Sequence, residues 1–529
     1  MTENWWKNAV IYQIYPRSFK DSNGDGIGDL SGIIEKLDYL QLLGVDALWL
    51  SPIYKSPMVD NGYDVSDYQD IDPLFGTMTD FERLVSEAKK RQLKIIMDVV
   101  VNHSSNQHFW FQEAKKSREN PYREFYIWRN QPIGEVKNWT YEPVSQQYYY
   151  HLFNPQQPDL NWENPKLRQA IYQMMNFWVD KGVAGFRMDV IDLIGKKTDL
   201  GITVNGPELH HYLQEMHQAV FAGHDLLTVG EAWSSSPELA KLYSAPQRQE
   251  LSMVFGFWHF LTSAGNGDKW QPLPLNVPKL KTALAAWQEI SPEDDEGWNA
   301  LFYNNHDLPR VVSFWGDTGE FREQSAKTLS IVLHLMRGTP FIYQGEELGM
   351  TNFSFTDLSM LNDVESLDFY AEKINEGYSN EEIMDTLRKM SRDNARTPMQ
   401  WIPGEKAGFT TGKPWLPVNP NHTRINALTA LSDKDSIFYT YQKLINLRHE
   451  ADWVTWGSFE LLDTAPEIIS YLREFSGRRY LIVANLSSQE QIFTSKFTKK
   501  ADLIATADFP DQLTHVKLAT WSAFAVEIN

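Results

Sequence analysis

The sequence of 529 residues contains no cysteine. Without thiols the chain forms no disulfide, no thiolate zinc site and no cysteine nucleophile. Long apolar runs are also absent, since none approaches the length that spans a bilayer. The first residues lack the basic and apolar segments of a secretory signal. We therefore expect a cytoplasmic protein that has no contact with a membrane.

Positive charge is scarce relative to negative charge. The 49 Lys and Arg residues face 69 Asp and Glu residues, and the formal net charge is −20. Nucleic acids and anionic membrane surfaces repel such a chain, so we expect neither as a partner. The hydrophobic content of 42% is typical of a globular protein with a large core. We expect a monomer.

Short apolar runs rich in β-branched and aromatic residues alternate with longer stretches of helical periodicity. Eight of these runs predict strands at residues 10–15, 47–51, 94–101, 185–190, 226–230, 251–255, 300–303 and 340–343. Eight strands separated by helical stretches are typical of a (β/α)₈ TIM barrel, an α/β fold.

Two parts of the chain interrupt or follow this pattern. Roughly 80 residues separate the third strand from the fourth, more than a βα loop needs. We interpret residues 104–165 as a small inserted domain, and residues 1–103 and 166–452 as the barrel. From residue 453 the pattern changes to the alternation of antiparallel strands, so residues 453–529 predict a C-terminal β-sandwich domain.

Three predicted strands end in a carboxylate, namely Asp189, Glu231 and Asp307. A parallel barrel gathers the carboxyl ends of its strands at one face. Two acids perform the nucleophilic and proton-transfer steps in hydrolysis of a glycosidic bond. The sequence therefore predicts a hydrolytic site at this face of the barrel.

The neighbours of two of these acids indicate different roles. Arg187 lies two residues before Asp189, so both side chains point to the same face of a strand, and the arginine keeps the carboxylate ionised as a nucleophile requires. A structural ion pair is the alternative. Apolar and aromatic neighbours of Glu231, among them Trp233, raise its pKa, as suits a general acid. A solvated loop glutamate is the alternative.

Two histidines accompany the strand ends. His306 precedes Asp307 and can donate to substrate hydroxyls, while Asp307 can bond a hydroxyl pair and favour a developing cation. A turn rich in Asn and Asp is the alternative. His103 ends the third predicted strand at the same rim, where a structural histidine is the alternative.

Oxygen-bearing side chains alternate with glycines in residues 21–29 (DSNGDGIGD). This spacing resembles the start of an EF-hand loop, although the bidentate glutamate at its end is displaced. The predicted ligands are Asp21, Asn23, Asp25, the carbonyl oxygen of Ile27, and Asp29. We predict a structural Ca²⁺ site, with Mg²⁺ and a plain Asx-rich turn as alternatives.

Six motifs of the chain resemble those of one enzyme family. DVVVNH, GFRMD, VGEAW and NNHD, in this order, look like the four signature regions of the α-amylase superfamily, glycoside hydrolase family 13. QPDLN at residues 157–161 and RDNARTPMQW at residues 392–401 resemble signatures of its oligo-1,6-glucosidase branch. The resemblance extends from Trp5 to the C-terminus.

The resemblance implies a role for each strand-end residue. Asp189 matches the nucleophile, Glu231 the acid/base and Asp307 the stabiliser of the transition state. The residues that match contacts to the glucose in subsite −1 are Arg187, His103, His306, Asp60, Tyr63 and Arg396. In the family, the arginine that Arg396 matches pairs across from the aspartate that Asp60 matches and closes the pocket, which makes the enzyme exo-acting. Retention follows from carboxylates roughly 5 Å apart.

The resemblance also bears on the bond that is cleaved. Val190 follows the nucleophile, as in members that cut α-1,6 bonds, and Trp233, Lys269 and Glu365 match residues that shape subsite +1 in dextran glucosidases (glucan 1,6-α-glucosidases). The implied activity is hydrolysis of terminal α-1,6-linked glucose from isomalto-oligosaccharides and dextran fragments. The stretch 133–140 departs from the family, because it is shorter and lacks a pocket-lining phenylalanine.

Three other interpretations of the sequence compete with this one. A trehalose-6-phosphate hydrolase needs a cationic phosphate pocket, for which Lys269 is the obvious candidate. A broader α-1,4/α-1,6 glucosidase shares the same acids. A non-catalytic amylase-like protein is disfavoured, because Asp189, Glu231 and Asp307 are all present.

Overall fold

The computed structural model describes residues 4–288 and 296–529. The chain divides into two compact units. We call Leu48–Gly256 the central unit, and Met1–Ala47 together with Phe257–Asn529 the terminal unit. This division differs from the domain boundaries expected at residues 103, 165 and 452, which stay predictions.

All eight predicted strands are present, most of them shorter than the apolar run that predicted them. They are β1 (Ile11–Ile14), β2 (Ala47–Leu50), β3 (Lys94–Val99), β4 (Gly185–Met188), β5 (Leu227–Glu231), β6 (Met253–Phe255), β7 (Ala300–Leu301) and β8 (Thr339–Tyr343). In the central unit the strand order is β6-β5-β4-β3-β2, and in the terminal unit it is β1-β8-β7. The pairs β3–β4, β4–β5, β5–β6, β1–β8 and β7–β8 are all parallel.

These strands are buried along almost their whole length. Parallel strands that are buried on both faces read as continuous apolar runs, and for this reason the eight runs could be recognised in the sequence.

Helices separate the strands of the central unit. They are Met78–Lys90, Phe109–Ala114, Pro165–Asp180, Leu209–Met216 and Pro237–Ser244, with shorter turns at Arg123–Phe125, Val136–Asn138, Ile191–Leu193, Thr198–Leu200, His217–Phe221 and Pro246–Arg248. Local sequence sets where they begin. Met78–Lys90 starts at a capping box, in which Thr77 and Asp80 bond each other's backbone N–H.

The segment predicted as an insertion forms its own small sheet. Strands Trp128–Arg129, Trp139–Glu142 and Gln147–Tyr150 pair antiparallel, with the last in the middle. Trp139 and Tyr150 of this sheet form a buried apolar cluster with Ile127. Two further short strands of the central unit, Tyr54–Lys55 and Asp67–Ile71, also pair antiparallel.

The terminal unit contains most of the helices. They are Trp5–Asn8, Pro16–Phe19, Leu30–Glu35, Leu37–Leu43, Trp258–Leu261, Val277–Gln288, Val311–Phe314, Arg322–His334, Val364–Asn375, Asn380–Met390, Asp393–Arg396, Ala427–Ser432, Ile437–Glu450 and Asp452–Trp456. Single helical turns lie at Glu346–Leu348, Leu358–Met360, Glu405–Gly408 and Pro420–Thr423. Within the described residues, no helix is both long enough and apolar enough to cross a membrane.

The C-terminal part of the terminal unit is antiparallel β-structure, as predicted. A five-stranded sheet has the order Ser458–Leu461, Ile468–Phe475, Arg478–Asn485, Ala523–Ile528, Lys499–Ala505, and a second sheet pairs Gln491–Phe493 with Val516–Leu518. A short strand pair, Ala264–Gly265 with Asp268–Pro272, lies elsewhere in this unit. Ser476 and Gly477 form the hairpin turn with φ of 50° and 74°, the left-handed conformation that two-residue hairpins require.

Candidate active site

Arg187 joins three carboxylates from neighbouring strands of the central unit. Its Nη1 lies 2.8 Å from an oxygen of Asp98 and 2.8 Å from an oxygen of Asp189, and its Nη2 lies 2.6 Å from Glu231. In the parallel register Asp98 of β3 lies opposite Arg187 of β4, and β5 flanks β4 on its other side. Pairing of β3, β4 and β5 therefore brings these residues together.

Burial makes the charges of this cluster costly unless each is paired with an opposite charge. Arg187 and Asp98 are fully buried, where an uncompensated charge costs several kcal/mol. Burial alone lowers the pKa of Arg187, but the charges of Asp98 and Glu231 hold it well above its ordinary value. Burial raises the pKa of Asp98 to about 6, against the opposing effect of Arg187. The arginine is thus a permanent cation that stabilises the ionised form of its partners.

The predicted contact between Arg187 and Asp189 is confirmed. Asp98 was not assigned a role from the sequence. The available signal was its place as the first residue of the DVVVNH motif. Its partner lies on another strand, so its contact with Arg187 depends on the register between strands.

Glu231 is almost fully buried, at 3% exposure. Besides Arg187, the backbone N–H of Val190 donates to it at 3.1 Å and the indole N–H of Trp233 at 3.0 Å. The sequence predicted apolar and aromatic neighbours. Burial agrees with that prediction, but Trp233 contributes a hydrogen bond to the carboxylate as well as its ring.

Val190 has a left-handed backbone conformation, with φ 35° and ψ 48°. A β-branched residue rarely adopts positive φ, and such strain persists where the surrounding structure requires it. Here the turn begins directly after Asp189, which follows β4, and directs the N–H of Val190 to Glu231. The conformation of Val190 therefore links the two acids.

His103 hydrogen-bonds through both ring nitrogens. Its Nε2 lies 3.0 Å from the carbonyl oxygen of Tyr63. Its Nδ1 accepts from the side-chain amide of Asn102 at 3.1 Å. Burial lowers the pKa of His103, which is consistent with an uncharged ring.

Tyr63 and Asp60 occupy the loop after β2. The hydroxyl of Tyr63 donates to Asp98 at 3.0 Å, which connects this loop to the Arg187 cluster. The amide of Gln157 lies 3.3 Å from Asp60 and 3.3 Å from the ring of His103. Gln157 was not assigned from the sequence, although it is the first residue of the QPDLN motif.

Asp307 is held by basic groups within the terminal unit. Arg396 donates to it at 2.8 Å, His306 at 3.0 Å and Arg392 at 3.4 Å. The amide of Gln13 lies 2.8 Å from Nδ1 of His306. An amide N–H donor at Nδ1 places the ring hydrogen on Nε2, which then donates to Asp307. His306 thus orients the carboxylate, and Arg392 is a further partner that the sequence did not single out.

Lys269, Glu365 and Arg392 form a second charged group in the terminal unit. Lys269 lies 2.5 Å from Glu365, and Arg392 lies 3.3 Å from Glu365 and 2.6 Å from Asp363. Asp363 also caps helix Val364–Asn375, which places Glu365 in the first turn of that helix. Lys269 is therefore already paired with an acid.

Arg396 is fully buried, and its Nε donates to the carbonyl oxygen of His306 at 3.0 Å. Its contacts with His306 and Asp307 place Arg396 beside the segment that follows β7. The pairing with Asp60 that the resemblance implies stays a prediction.

The loop at residues 21–29 is wound by its own side chains. The carboxylate of Asp21 accepts from the backbone N–H of Asn23, Gly24 and Gly26. Asp29 accepts from Ser22 and caps helix Leu30–Glu35. In the parts of the chain that the structure describes, no group of three or more His, Asp or Glu side chains is gathered as a metal site.

The donor chemistry of this loop nevertheless fits a hard cation. Asp25 and Asn23 add oxygens at alternating positions, each bonding the N–H two residues on. Ca²⁺ prefers such oxygen ligands, which include carboxylate, amide and carbonyl groups.

Comparison with known proteins shows the family to which the chain belongs. Residues 13–457 match the model of the family described as alpha amylase, catalytic domain. The chain is 56% identical over 536 residues to the glucan 1,6-alpha-glucosidase of Streptococcus pneumoniae serotype 4, covering 100% of both chains. It is 46% identical over 562 residues to the oligo-1,6-glucosidase of Parageobacillus thermoglucosidasius, again covering 100% of both.

Among solved structures, the trehalose-6-phosphate hydrolase of Bacillus licheniformis is similar, with a TM-score of 0.94 and 44% identity over 99% of this chain and 100% of that chain. The predicted (β/α)₈ fold with a C-terminal antiparallel sheet is confirmed. The chain belongs to the α-amylase family of glycoside hydrolases, glycoside hydrolase family 13.

Proposed function

We propose that the protein is a retaining, exo-acting α-glucosidase that removes terminal α-1,6-linked glucose from isomalto-oligosaccharides and dextran fragments. The observation that carries this proposal is the contact of one buried guanidinium, that of Arg187, with both Asp189 and Glu231. The names of two full-length relatives, a glucan 1,6-alpha-glucosidase and an oligo-1,6-glucosidase, support the linkage.

The two acids divide the chemistry between two displacements. In the first, the carboxylate of Asp189 attacks the anomeric carbon while Glu231 gives its proton to the glycosidic oxygen, so that the C–O bond to the leaving group breaks. In the second, Glu231 takes a proton from water, which attacks the β-glucosyl ester of Asp189 and releases α-glucose. Arg187 and the N–H of Val190 stabilise the ionised Glu231 that the second step needs.

Asp307 takes the third role, stabilisation of the cationic transition state. Its contacts with Arg396 and His306 keep it ionised, as this role requires. The other proposed contacts to the glucose in subsite −1 are Asp60, Tyr63, His103, Arg187, His306 and Arg396.

The residues proposed for subsite +1 are Val190, Trp233, Lys269 and Glu365. Lys269 is the candidate that a trehalose-6-phosphate hydrolase would use for phosphate. Its 2.5 Å contact with Glu365 compensates its charge, and a carboxylate beside it repels a phosphate group. This ion pair favours a neutral glucan chain over a phosphorylated disaccharide.

A panel of substrates tests the proposal. We expect isomaltose and panose to be hydrolysed with a kcat/KM at least tenfold above those for maltose, sucrose and trehalose 6-phosphate. Proton NMR of the first turnover should show α-glucose before mutarotation. Activity confined to trehalose 6-phosphate would overturn the α-1,6 assignment, and initial release of β-glucose would overturn the retaining mechanism.

We also propose that the enzyme works in the cytoplasm as a monomer. A chain without cysteine suits a reducing compartment. Light scattering that gives a mass well above 61.2 kDa in solution would contradict the monomer.

We further propose that the loop at residues 21–29 binds Ca²⁺, with Mg²⁺ as a substitute. The ligands would be Asp21, Asn23, Asp25, the carbonyl oxygen of Ile27, and Asp29. Bound there, the ion would stabilise the loop between β1 and helix Leu30–Glu35 without taking part in hydrolysis.

Thermal unfolding tests whether this loop binds Ca²⁺. We expect millimolar Ca²⁺ to raise Tm by about 2 to 5 °C relative to EGTA, because a ligand that binds only the folded state stabilises it. Asp25 is exposed, so Asp25→Asn should abolish the response to Ca²⁺ and change the Tm measured in EGTA little. Equal Tm values of the wild type in Ca²⁺ and in EGTA would contradict the site.

A further inference from the structure

Two turns of the central unit exchange hydrogen bonds. One follows Asp189 and contains Val190 and Asp192, and the other follows Glu231 and contains Ser234. The N–H of Val190 donates to Glu231 at 3.1 Å, and the N–H of Ser234 donates to Asp192 at 3.0 Å. Each turn therefore donates one backbone N–H to a carboxylate of the other segment. Asp192 is the part of this exchange to which the mechanism above gives no role.

Asp192 is a buried acid, at 2% exposure. Its pKa is raised to about 7, first by burial and also by the negative charge of Glu231, while hydrogen bonding to Ser234 lowers it. The titratable groups that face it are Glu231 on β5 and Tyr243 on helix Pro237–Ser244, whose own pKa is raised by burial and by Asp192. Tyr243 bonds the side chain of Asn205 at 2.7 Å.

We propose that Asp192 is a positioning residue for Glu231. Asp192 holds the turn at residues 232–234 against the turn at residues 190–193, and where Asp192 is ionised its negative charge keeps a proton on Glu231. The inference rests on the proposed function, in which Glu231 protonates the leaving group. It adds to that function a residue that touches neither the sugar nor the reacting atoms.

The electrostatic part follows from reciprocity. Since the charge of Glu231 disfavours ionisation of Asp192, the charge of Asp192 disfavours ionisation of Glu231 to the same extent. Arg187 and Val190 act in the opposite direction, because they stabilise the ionised Glu231. The ionised Asp192 therefore offsets the effect of Arg187 and Val190 on Glu231. This balance lets Glu231 serve as the acid in the first step and as the base in the second.

Two substrates separate this role from a structural one. Isomaltose has a sugar alkoxide as leaving group, which needs the proton of Glu231. The leaving group of p-nitrophenyl α-D-glucoside departs readily without a proton. A defect in protonation therefore lowers kcat/KM for isomaltose far more than for the nitrophenyl glucoside, whereas general distortion lowers both.

The test compares three variants at Asp192. Asp192→Asn keeps an oxygen for the N–H of Ser234 and removes the charge, Asp192→Ala removes both, and Asp192→Glu keeps the charge. For Asp192→Asn we expect the alkaline limb of the kcat/KM profile on isomaltose to move to lower pH by about 0.5 to 1 unit. On the alkaline side of the limb its kcat/KM should fall about three- to tenfold for isomaltose and about twofold or less for the nitrophenyl glucoside.

The remaining variants complete the test. Asp192→Ala should lose activity on both substrates, and Asp192→Glu should return the alkaline limb towards that of the wild type. The matched control is Asp199→Asn, a half-exposed aspartate paired with Arg129, which should leave the profile unchanged.

Failure of this inference is distinct from failure of the proposed function. A wild-type enzyme that cleaves neither substrate overturns the function itself. An active wild type whose Asp192→Asn variant keeps the alkaline limb in place, or loses equal activity on both substrates, overturns only the role of Asp192. If Asp192→Asn unfolds at the assay temperature, the activity of Asp192→Glu decides. Near-normal kcat/KM values on both substrates support the role of the charge, whereas a tenfold loss on both substrates, although the charge is kept, indicates a structural role alone and overturns the inference.

Discussion

Replacing Asp189 by alanine is expected to lower the hydrolysis of isomaltose by about 10⁴-fold or more, because no other group can form the covalent glucosyl intermediate. The fold should persist. Arg187 keeps its contacts with Asp98 and Glu231 in this variant, so no buried cation is left uncompensated. Steady-state kinetics and the thermal unfolding curve of the same preparation measure both outcomes.

Chemical rescue identifies the lost group as the nucleophile. Azide is small enough to enter the space of the missing carboxylate and should restore turnover of p-nitrophenyl α-D-glucoside, with β-glucosyl azide as product. Asp199→Ala removes a carboxylate paired with Arg129 near the surface and is expected to retain wild-type activity. Near-normal turnover of Asp189→Ala without azide would exclude Asp189 as the nucleophile.

Replacing Arg187 by methionine is expected to combine the largest loss of stability with loss of activity. The change leaves Asp98, Asp189 and Glu231 without their shared cation, and breaking a buried ion pair costs about 3 to 5 kcal/mol. Asp98 is fully buried and should take up a proton in this variant. We expect lower values of Tm and of the urea midpoint, and a kcat/KM reduced by about 10³-fold or more.

Two further arginine variants show whether the geometry or the charge matters. Arg187→Lys keeps the charge, but one ammonium group cannot reproduce the fork of a guanidinium that contacts three carboxylates. Its stability should lie between the wild type and Arg187→Met, and its activity should stay low. Arg129→Met breaks a surface pair with Asp199 and should cost less than about 1 kcal/mol. If Arg187→Met were as stable as Arg129→Met, the cluster would not be a source of stability.

The elements of the fold could be predicted because their signals are local. Each strand of the parallel sheets is buried on both faces and therefore appears as a short apolar run. The ends of the strands depend on pairing with a neighbour. The run at residues 251–255 is all strand-like in composition, yet β6 begins only at Met253, because the partner strand β5 determines where pairing starts.

The contacts within the site were only partly predictable. Arg187 and Asp189 are two residues apart, so the period of a strand was enough to bring them together. Asp98 reaches Arg187 from another strand and Gln157 reaches Asp60 across 97 positions of the chain. Arg392 binds Asp307 from 85 positions away. No local pattern marks such contacts, although all three residues lie in the quoted motifs.

The sequence by itself determined the succession of strands along the chain, the residue types that follow each strand, and the family of the protein. It did so because periodicity and ordered motifs are properties of neighbouring residues. Only the tertiary structure determined the burial, the pKa shifts and the orientation of these groups. The register of β3, β4 and β5 places one cation among three acids, the left-handed Val190 turns its N–H to Glu231, and Asp192 becomes a buried acid beside Glu231. These properties depend on burial and on distances between distant parts of the chain.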